Sequence, residues 1–206
     1  MKKGLFISFE GMDGSGKSTQ IERLKKYLES KGYSVILTRE PGGTAIGEKI
    51  RDIILDRENE RMDPMTEALL YAASRAQHVE EVIKPAVERG DIVICDRFVD
   101  SSIAYQGYGR GLGKAVSDIN SYATAGCMPD VTFLMKVPPL ISGGRIENRE
   151  RDRIEMEPDE FHTEVYRGYE ALEKAHPDRI IGVEASGLAD DVEKSIRMYI
   201  EGALGI

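Results

Sequence analysis

The sequence predicts an α/β domain in which five parallel strands are covered by helices on both faces. Three observations predict this fold. Five short apolar runs recur along the 206 residues, and stretches with helical spacing of apolar residues separate them. The first run leads directly into a glycine-rich turn that opens a helix. Neither an internal repeat nor a linker interrupts the alternation, so we expect a single domain over residues 1–206.

Composition limits the classes of partner. The net charge of −8 and the pI near 5.1 offer no broad basic field for a phosphate backbone, so we expect no nucleic-acid partner. We find neither a leader segment nor an apolar run of membrane length, and we expect no membrane partner. Cys95 and Cys127 have no metal or redox spacing, and Cys95 lies in an apolar run that predicts a buried thiol. A reducing cytoplasm is the predicted location.

The elements follow in chain order. We predict strands at 5–9, 33–38, 91–96, 131–137 and 179–183. The predicted helices run from the glycine-rich turn to about residue 30, then over 45–55, 64–90, 114–125, 140–145, 160–174 and 190–204. Pro85 either bends the long third helix or begins a further turn within it. Residues 98–113 are polar, aromatic and rich in glycine, which favours a partly helical binding segment.

The turn after the first strand carries the strongest chemical signal. Residues 11–18 match the phosphate-binding pattern G-x-x-x-x-G-K-[ST] at every fixed position, and the flanking strand and helix oppose a chance match. Its glycines let backbone N–H groups point at a polyanion, its lysine reaches the β- and γ-phosphates, and its serine can bind Mg²⁺. The sequence therefore predicts a P-loop NTPase fold that binds ATP through Gly11, Met12, Asp13, Gly14, Ser15, Gly16, Lys17, Ser18 and Thr19.

Other charged groups follow strands of the predicted sheet. Asp96 and Arg97 close the third strand, where P-loop proteins hold Mg²⁺ directly or through water; the alternative is a structural salt bridge. Arg39 follows the second strand, before a Pro-Gly-Gly turn, at the edge where open α/β sheets bind ligands; an ordinary turn is the alternative. Tyr71 and Arg75 share a helix face and could stack on a base and donate to its edge. By spacing alone, a core tyrosine beside a solvated arginine explains them better.

A run of alternating charges spans residues 145–153 and contains four arginines with one apolar residue. Such a run is typical of a solvated helix. Beside a P-loop, however, it favours a short lid, at about residues 142–156, whose guanidinium groups cover the transferring phosphoryl group. The chain has no N-K-x-D motif for a guanine base, so transfer to a small acceptor fits better than GTP hydrolysis.

Several blocks together resemble the thymidylate kinase family. They occur in the family's order over nearly the whole chain: the EGMDGSGKST loop, the TREPGGT block after the second strand, the EALLYAASRAQH helix, Asp96-Arg97-Phe98, Ser101-Ser102, Tyr105-Gln106-Gly107 and Asp152-Arg153-Ile154-Glu155. The resemblance implies phosphorylation of dTMP to dTDP by ATP with Mg²⁺, as a step of dTTP synthesis. It also implies a homodimer packed through helices.

The resemblance implies roles for individual residues. Tyr71 would stack on thymine, Arg75 would bind the base edge, and Arg39 and Arg97 would hold the monophosphate. Asp13 would lie near the sugar 3′-hydroxyl and the acceptor phosphate. The thymidine pocket would be lined by Ser101, Ser102, Tyr105 and Gln106, and Mg²⁺ would bind Ser18 and Asp96, directly or through water. Lys17 and Arg97 would be catalytic, joined by a lid arginine, Arg149 or Arg153, because Gly14 stands where some family members carry an arginine in the P-loop.

The chain departs from the family after the fourth strand. Lys136 and Pro138-Pro139-Leu140 stand where an acidic segment is common, and Gly143-Gly144 replaces residues that favour a helix. These departures bear on the lid and on nearby metal contacts. Two other functions stay open from the residues alone: a kinase for another nucleoside or nucleoside monophosphate, and a nucleotide-binding regulatory subunit without turnover.

Overall fold

A computed structural model describes residues 4–145 and 151–206. Five strands form one parallel sheet in the order β2-β3-β1-β4-β5, which confirms the predicted fold class. The strands are β1 Leu5–Glu10, β2 Val35–Arg39, β3 Ile92–Asp96, β4 Val131–Lys136 and β5 Ile180–Glu184. All of the parallel strands end at one edge of the sheet, so the residues that follow β1, β2 and β3 meet there.

Helices connect successive strands, with bounds close to those that periodicity predicts. They are α1 Lys17–Ser30, α2 Ala45–Leu55, α3 Pro64–His78, α4 Lys84–Arg89, α5 Val99–Ser102, α6 Lys114–Thr124, α7 Pro139–Gly144, α8 Asp159–Ala175 and α9 Ala189–Leu204. Asp63 caps α3 through the backbone N–H of Met65, and Pro64 takes its first position, where a missing N–H costs nothing.

The predicted long third helix is continuous but changes its winding. A π-helical turn, Val79–Ile83, joins α3 to α4, and Pro85 lies in the first turn of α4. The proline therefore begins a further turn, one of its two predicted roles. A second π-helical segment, Ile103–Gly109, follows α5, so the polar stretch after β3 is helical for most of its length.

Alternate residues of the central strand pack on opposite faces of the sheet. Ile7 and Phe9 join a core with α1 and α9, whereas Phe6 packs with the π-helical turn Val79–Ile83, α4 and α5. Cys95 is fully buried in the second of these cores, as predicted, and burial raises the pKa of its thiol. The two cores hold the binding edge rigidly from both sides.

Candidate active site

The P-loop, residues 11–18, curls between β1 and α1. Gly11, Gly14 and Gly16 have φ values of 131°, 79° and 93°, a region that side chains disfavour. A Cβ on Gly11 would lie 2.6 Å from the carbonyl oxygen of Met135, so this glycine is also needed for close packing on β4. The loop therefore has its compact form because of its glycines.

Lys17 begins α1 and is nearly buried. Its Nζ donates to the carbonyl oxygens of Gly11 and Met12, each at 3.0 Å, within the loop that it would serve. Burial lowers the pKa of Lys17, and the nearby Arg97 lowers it further. Because burial and Arg97 both disfavour the charged form of Lys17, an anion that binds beside its ammonium group is strongly stabilised. Ser18 and Thr19 lie exposed at the helix N-terminus, where backbone N–H groups attract phosphate.

Asp96 ends β3 beside this loop and suits a metal. Its Oδ1 is buried and accepts no hydrogen bond from any residue that the structure describes. A buried carboxylate oxygen of this kind needs a partner, and Mg²⁺ or its water shell would suit that role. No cluster of three or more His, Cys, Asp or Glu side chains that could hold a metal occurs among residues 4–145 and 151–206. Asp96 and Ser18 thus fit an ion whose other ligands are phosphate oxygens and water.

Arg97 lies between the P-loop and the polar segment that follows β3. Its backbone φ is 67°, which is unusual for a residue other than glycine, and its Nη2 donates to Asp13 Oδ1 at 2.8 Å. Its guanidinium lies 5.2 Å from the centre of the Tyr105 ring. Burial alone would lower the pKa of Arg97, but Asp13 and other nearby groups hold that pKa well above its ordinary value. The side chain stays charged at the point where a phosphate would bind.

Arg75 lies deep behind this point, with 1% of its surface exposed. Its Nε lies 2.8 Å from Glu40 Oε2, and its Nη1 donates to Ser102 Oγ at 3.0 Å and to Asn120 Oδ1 at 2.5 Å. None of the described residues accepts a hydrogen bond from its Nη2. Arg75 still lines the cavity, so this corner of the guanidinium is available to a ligand. Helical spacing alone favoured a solvated arginine here, and that interpretation is wrong because Arg75 is buried beside the Glu40 carboxylate.

One cavity of about 660 Å³ joins most of the predicted residues. It is lined by Asp13, Gly14, Ser15, Gly16, Lys17, Ser18, Thr19, Arg39, Tyr71, Arg75, Asp96, Arg97, Ser101, Tyr105 and Gln106. The lining does not include Gly11, Met12 or Ser102; Met12 packs in an apolar cluster with Tyr105, and Ser102 supports Arg75. Tyr71 is half-buried, and burial raises the pKa of its hydroxyl, so the ring is neutral.

Two further arginines line the cavity: Arg51, which was not singled out from the sequence, and Arg145, which was included only as a member of the run over residues 145–153. Arg51 on α2 donates to the carbonyl oxygen of Pro41 at 3.0 Å, and burial lowers its pKa. Arg145 follows α7 and donates to the carbonyl oxygen of Gly14 at 3.1 Å. Arg51 lies on α2, whose apolar spacing marks core residues such as Ile54 but does not mark Arg51. Only the question of which α2 residues face the TREPGGT block could have identified it.

The predicted lid arginines are placed differently. Arg149 lies outside the described residues. Arg153 is buried and does not line the cavity: its Nη2 donates to Glu67 Oε2 at 2.7 Å and its Nε to the carbonyl oxygen of Ile54 at 2.8 Å. The buried Glu67 carboxylate requires a cation, and Arg153 shares that task with Arg110. This placement does not support the prediction that Arg153 is catalytic.

The fold and this cavity define a P-loop nucleotide-binding protein with room for a second ligand beside the triphosphate loop. The model of the thymidylate kinase family matches residues 9–196. A thymidylate kinase from an Exiguobacterium species is 46% identical over 198 residues, which are 95% of this chain and 93% of that protein. One from Lactobacillus delbrueckii is 52% identical over 189 residues, 89% of each chain. The crystal structure of thymidylate kinase from Ehrlichia chaffeensis matches with a TM-score of 0.77 at 34% identity, over 96% of this chain and 98% of that one. The chain belongs to the thymidylate kinase family.

Proposed function

We propose that the chain transfers the terminal phosphoryl group of ATP to dTMP, giving ADP and dTDP for dTTP synthesis. The observation that carries the proposal is the position of Arg97. Its guanidinium contacts Asp13 of the P-loop at 2.8 Å and lies over the ring of Tyr105, in a cavity that both halves line. A phosphate bound to Arg97 would therefore lie next to a phosphate held by the loop.

The donor half consists of the P-loop and the end of β3. Backbone N–H groups of residues 14–19 and the Lys17 ammonium would bind the ATP phosphates. Ser18 and Asp96 would hold Mg²⁺, which would offset the negative charge of the phosphates during transfer. Thr19, exposed beside Ser18, would contact the same phosphates.

The acceptor half lies behind Arg97. Tyr71 would stack on thymine, Arg75 would donate from Nη2 to a base carbonyl oxygen, and Arg39 would join Arg97 on the monophosphate. Ser101, Ser102, Tyr105 and Gln106 would complete the thymidine pocket. Arg51, close to the Pro41 carbonyl, adds positive charge that favours the monophosphate dianion.

The chemistry asks the protein mainly for charge and alignment. An acceptor phosphate oxygen attacks the γ-phosphorus, the bond from that phosphorus to the bridging oxygen breaks, and ADP leaves with the bonding electrons. The attacking oxygen is already anionic, so no strong general base is required. Lys17 and Arg97 would offset the negative charges as they approach, and we propose Arg149 as the lid arginine that joins them.

We further propose a homodimer in the cytoplasm. Ile46, Ile53 and Leu69 are each about half exposed on α2 and α3, two helices that pack side by side, which supports a helical interface. Neither cysteine is in a disulfide, which suits a reducing compartment. Within the described parts of the chain, no helix combines the length and the apolar character that crossing a bilayer requires.

The direct test is an assay of ADP release that compares dTMP, dUMP, UMP, CMP and dCMP as acceptors. We expect dTMP to give the highest kcat/KM. Faster turnover with UMP or CMP would contradict the assignment of the acceptor. ATP binding with no ADP formed on addition of dTMP would indicate a regulatory subunit instead.

A further inference from the structure

Glu10, the last residue of β1, is fully buried and has no place in the mechanism above. Its carboxylate accepts four hydrogen bonds. Oε1 accepts from the backbone N–H groups of Phe98 at 2.7 Å and Ser101 at 3.3 Å. Oε2 accepts from the hydroxyls of Ser101 at 2.5 Å and Tyr169 at 3.0 Å. The ionised carboxylate, which is the form of Glu10 above about pH 7, has acceptor positions for all four donors.

The same two hydroxyls contact Arg97. Arg97 Nη1 donates to Ser101 Oγ and to Tyr169 Oη, each at 3.1 Å. A hydroxyl has one proton, so a hydroxyl that donates to Glu10 keeps its lone pairs for the guanidinium. Glu10 therefore decides that Ser101 and Tyr169 act as acceptors toward Arg97. A third acceptor, Asp13, holds Nη2 of Arg97.

Glu10 also holds the backbone that follows Arg97. Arg97 N donates to the Phe9 carbonyl oxygen at 2.9 Å, and the next N–H, that of Phe98, donates to Glu10. Because Arg97 has a φ of 67°, its backbone is in a strained region that only surrounding contacts maintain. Glu10 thus helps to fix both the side chain and the backbone of Arg97.

We infer that Glu10 is a positioning residue for the acceptor phosphate: it aims the Arg97 guanidinium at that phosphate through the hydroxyls of Ser101 and Tyr169. This inference rests on the proposed function, because it takes Arg97 to bind the monophosphate. Tyr169 becomes part of the site by the same reasoning. It lies on α8, 72 residues from Arg97 in the chain, and it packs edge-on against Tyr105.

The test is Glu10→Gln, with the binding of dTMP and of thymidine measured by calorimetry. Glutamine keeps the shape but removes the charge and turns two acceptor positions into N–H donors, so the two hydroxyls lose the anion to which they donate and hold the Arg97 guanidinium less firmly. Loss of this charge-assisted hydrogen-bond network lowers the affinity for dTMP by at least about tenfold. Thymidine, which has no phosphate, binds within about twofold of wild type. Equal weakening of both ligands, or of neither, overturns the inference.

Wild-type protein separates this inference from the proposed function. If wild type binds thymidine as tightly as dTMP, Arg97 does not hold a phosphate and the proposed function fails. If wild type prefers dTMP and Glu10→Gln keeps that full preference, the inference alone fails. Thr132→Val is the matched control, because it removes a buried hydroxyl of β4 that bonds to Ser8, Asp100 and Arg179, and it leaves the preference for dTMP unchanged.

Tyr169→Phe keeps the inference testable if Glu10→Gln does not fold. This change removes only the hydroxyl and keeps the ring that packs on Tyr105. We expect the same selective loss of dTMP binding, and an unchanged dTMP affinity overturns the inference. Where both variants fold, the double variant loses less affinity than the two single losses combined, because both changes break one network.

Discussion

Arg97 Nη2 lies 2.8 Å from Asp13 Oδ1, so a cation from the end of β3 is paired with an acid from within the P-loop. The pair is only partly shielded, and both members line the cavity. A phosphate dianion arriving there would compete with Asp13 for the guanidinium. Asp13 would then be able to accept a hydrogen bond from another donor, and the sugar 3′-hydroxyl is the donor that the proposed function supplies.

This pairing predicts the effect of Arg97→Lys. Lysine keeps the charge but loses the planar fork that reaches Asp13, Ser101 and Tyr169 together. We expect kcat/KM for dTMP to fall by about 100-fold, since several charge-assisted hydrogen bonds are lost. KM for ATP should change by less than about threefold. Steady-state kinetics with each substrate varied in turn measure both, and an equal rise of the two KM values would contradict the assignment.

Arg75 predicts a loss in both binding and stability. Arg75→Ala removes the proposed donor to the base and, among the residues that the structure describes, leaves the buried Glu40 carboxylate with the His78 ring at 2.9 Å. We expect KM for dTMP to rise by about tenfold or more while KM for ATP stays unchanged. The free energy of unfolding should fall by about 3 kcal/mol, as when one partner of a buried pair is removed.

Glu40→Gln in the Arg75→Ala background separates these two effects. The second change removes the unpaired buried charge, so much of the lost stability should return. The raised KM for dTMP should remain, because the donor to the base is still absent. Recovery of the KM together with the stability would show that Arg75 has a structural role only. Urea unfolding and dTMP kinetics on the three variants decide the question.

Features that depend on residues close together in the chain could be predicted from the sequence, whereas contacts between distant residues could not. The P-loop and all five strands are set by patterns within a few residues, and the structure has them within about two residues of the predicted bounds. The sequence predicts three cavity arginines outside the lid region. Arg39, Arg75 and Arg97 line the cavity, but the partner that buries Arg75, Glu40, is 35 residues away in the chain and no local pattern reveals it.

Arg153 shows the same limit more sharply. A run of alternating charges predicts that all its arginines are exposed, yet Glu67, 86 residues earlier, takes Arg153 into the protein. Glu67 lies one helical turn before Tyr71 on α3, and its burial follows from packing against the Ile103–Gly109 segment, where Gln106 also donates to it at 2.9 Å. A buried ion pair between residues so far apart in the chain depends on the folded topology, so the spacing of residues in the sequence cannot predict it.

Arg149 and Arg153 therefore predict opposite results on substitution to alanine. Arg153→Ala leaves Glu67 with Arg110 and Gln106 as partners, so we expect the free energy of unfolding to fall by about 2 kcal/mol and kcat by less than about tenfold. Arg149→Ala should lower kcat by about 1000-fold with little change in Tm, as removal of an arginine that stabilises transferred phosphoryl charge does. Thermal unfolding and kcat measured on both variants test this, and the reverse pattern would assign catalysis to Arg153.

Glu10 predicts how stability depends on pH. Burial raises the pKa of its carboxyl from 4.5 to about 7, the nearby Asp100 adds to the rise, and Arg97 opposes it. The other titratable or charged groups that interact with Glu10 are Lys17, Cys95, Tyr169 and Arg179. Between pH 4.5 and 7 the folded state therefore holds a proton that the unfolded state has lost.

The sign follows from that proton. The stabilisation is complete below pH 4.5 and disappears as the pH rises through about 7, a change of about 3 kcal/mol. Glu10→Gln does not titrate, so the free energy of unfolding of wild type minus that of the variant should fall by this amount between pH 4.5 and 8. Urea unfolding of both proteins at half-unit steps measures the difference. A difference that stays constant over this range would show that Glu10 titrates outside it.

Asp96 predicts the metal dependence of turnover. Its buried Oδ1 has no hydrogen-bond donor within residues 4–145 and 151–206, so a cation or its water shell is the partner that the site lacks. Asp96→Asn keeps the shape but removes the charge that binds a divalent ion. We expect the Mg²⁺ concentration for half-maximal kcat to rise by about tenfold or more, while the affinity for dTMP measured without metal stays unchanged. Cys95→Ala, a buried change one residue earlier, is the control and should leave the Mg²⁺ titration at its wild-type midpoint. An unchanged midpoint in Asp96→Asn would remove Asp96 from the metal site and leave its buried oxygen to an ordered water.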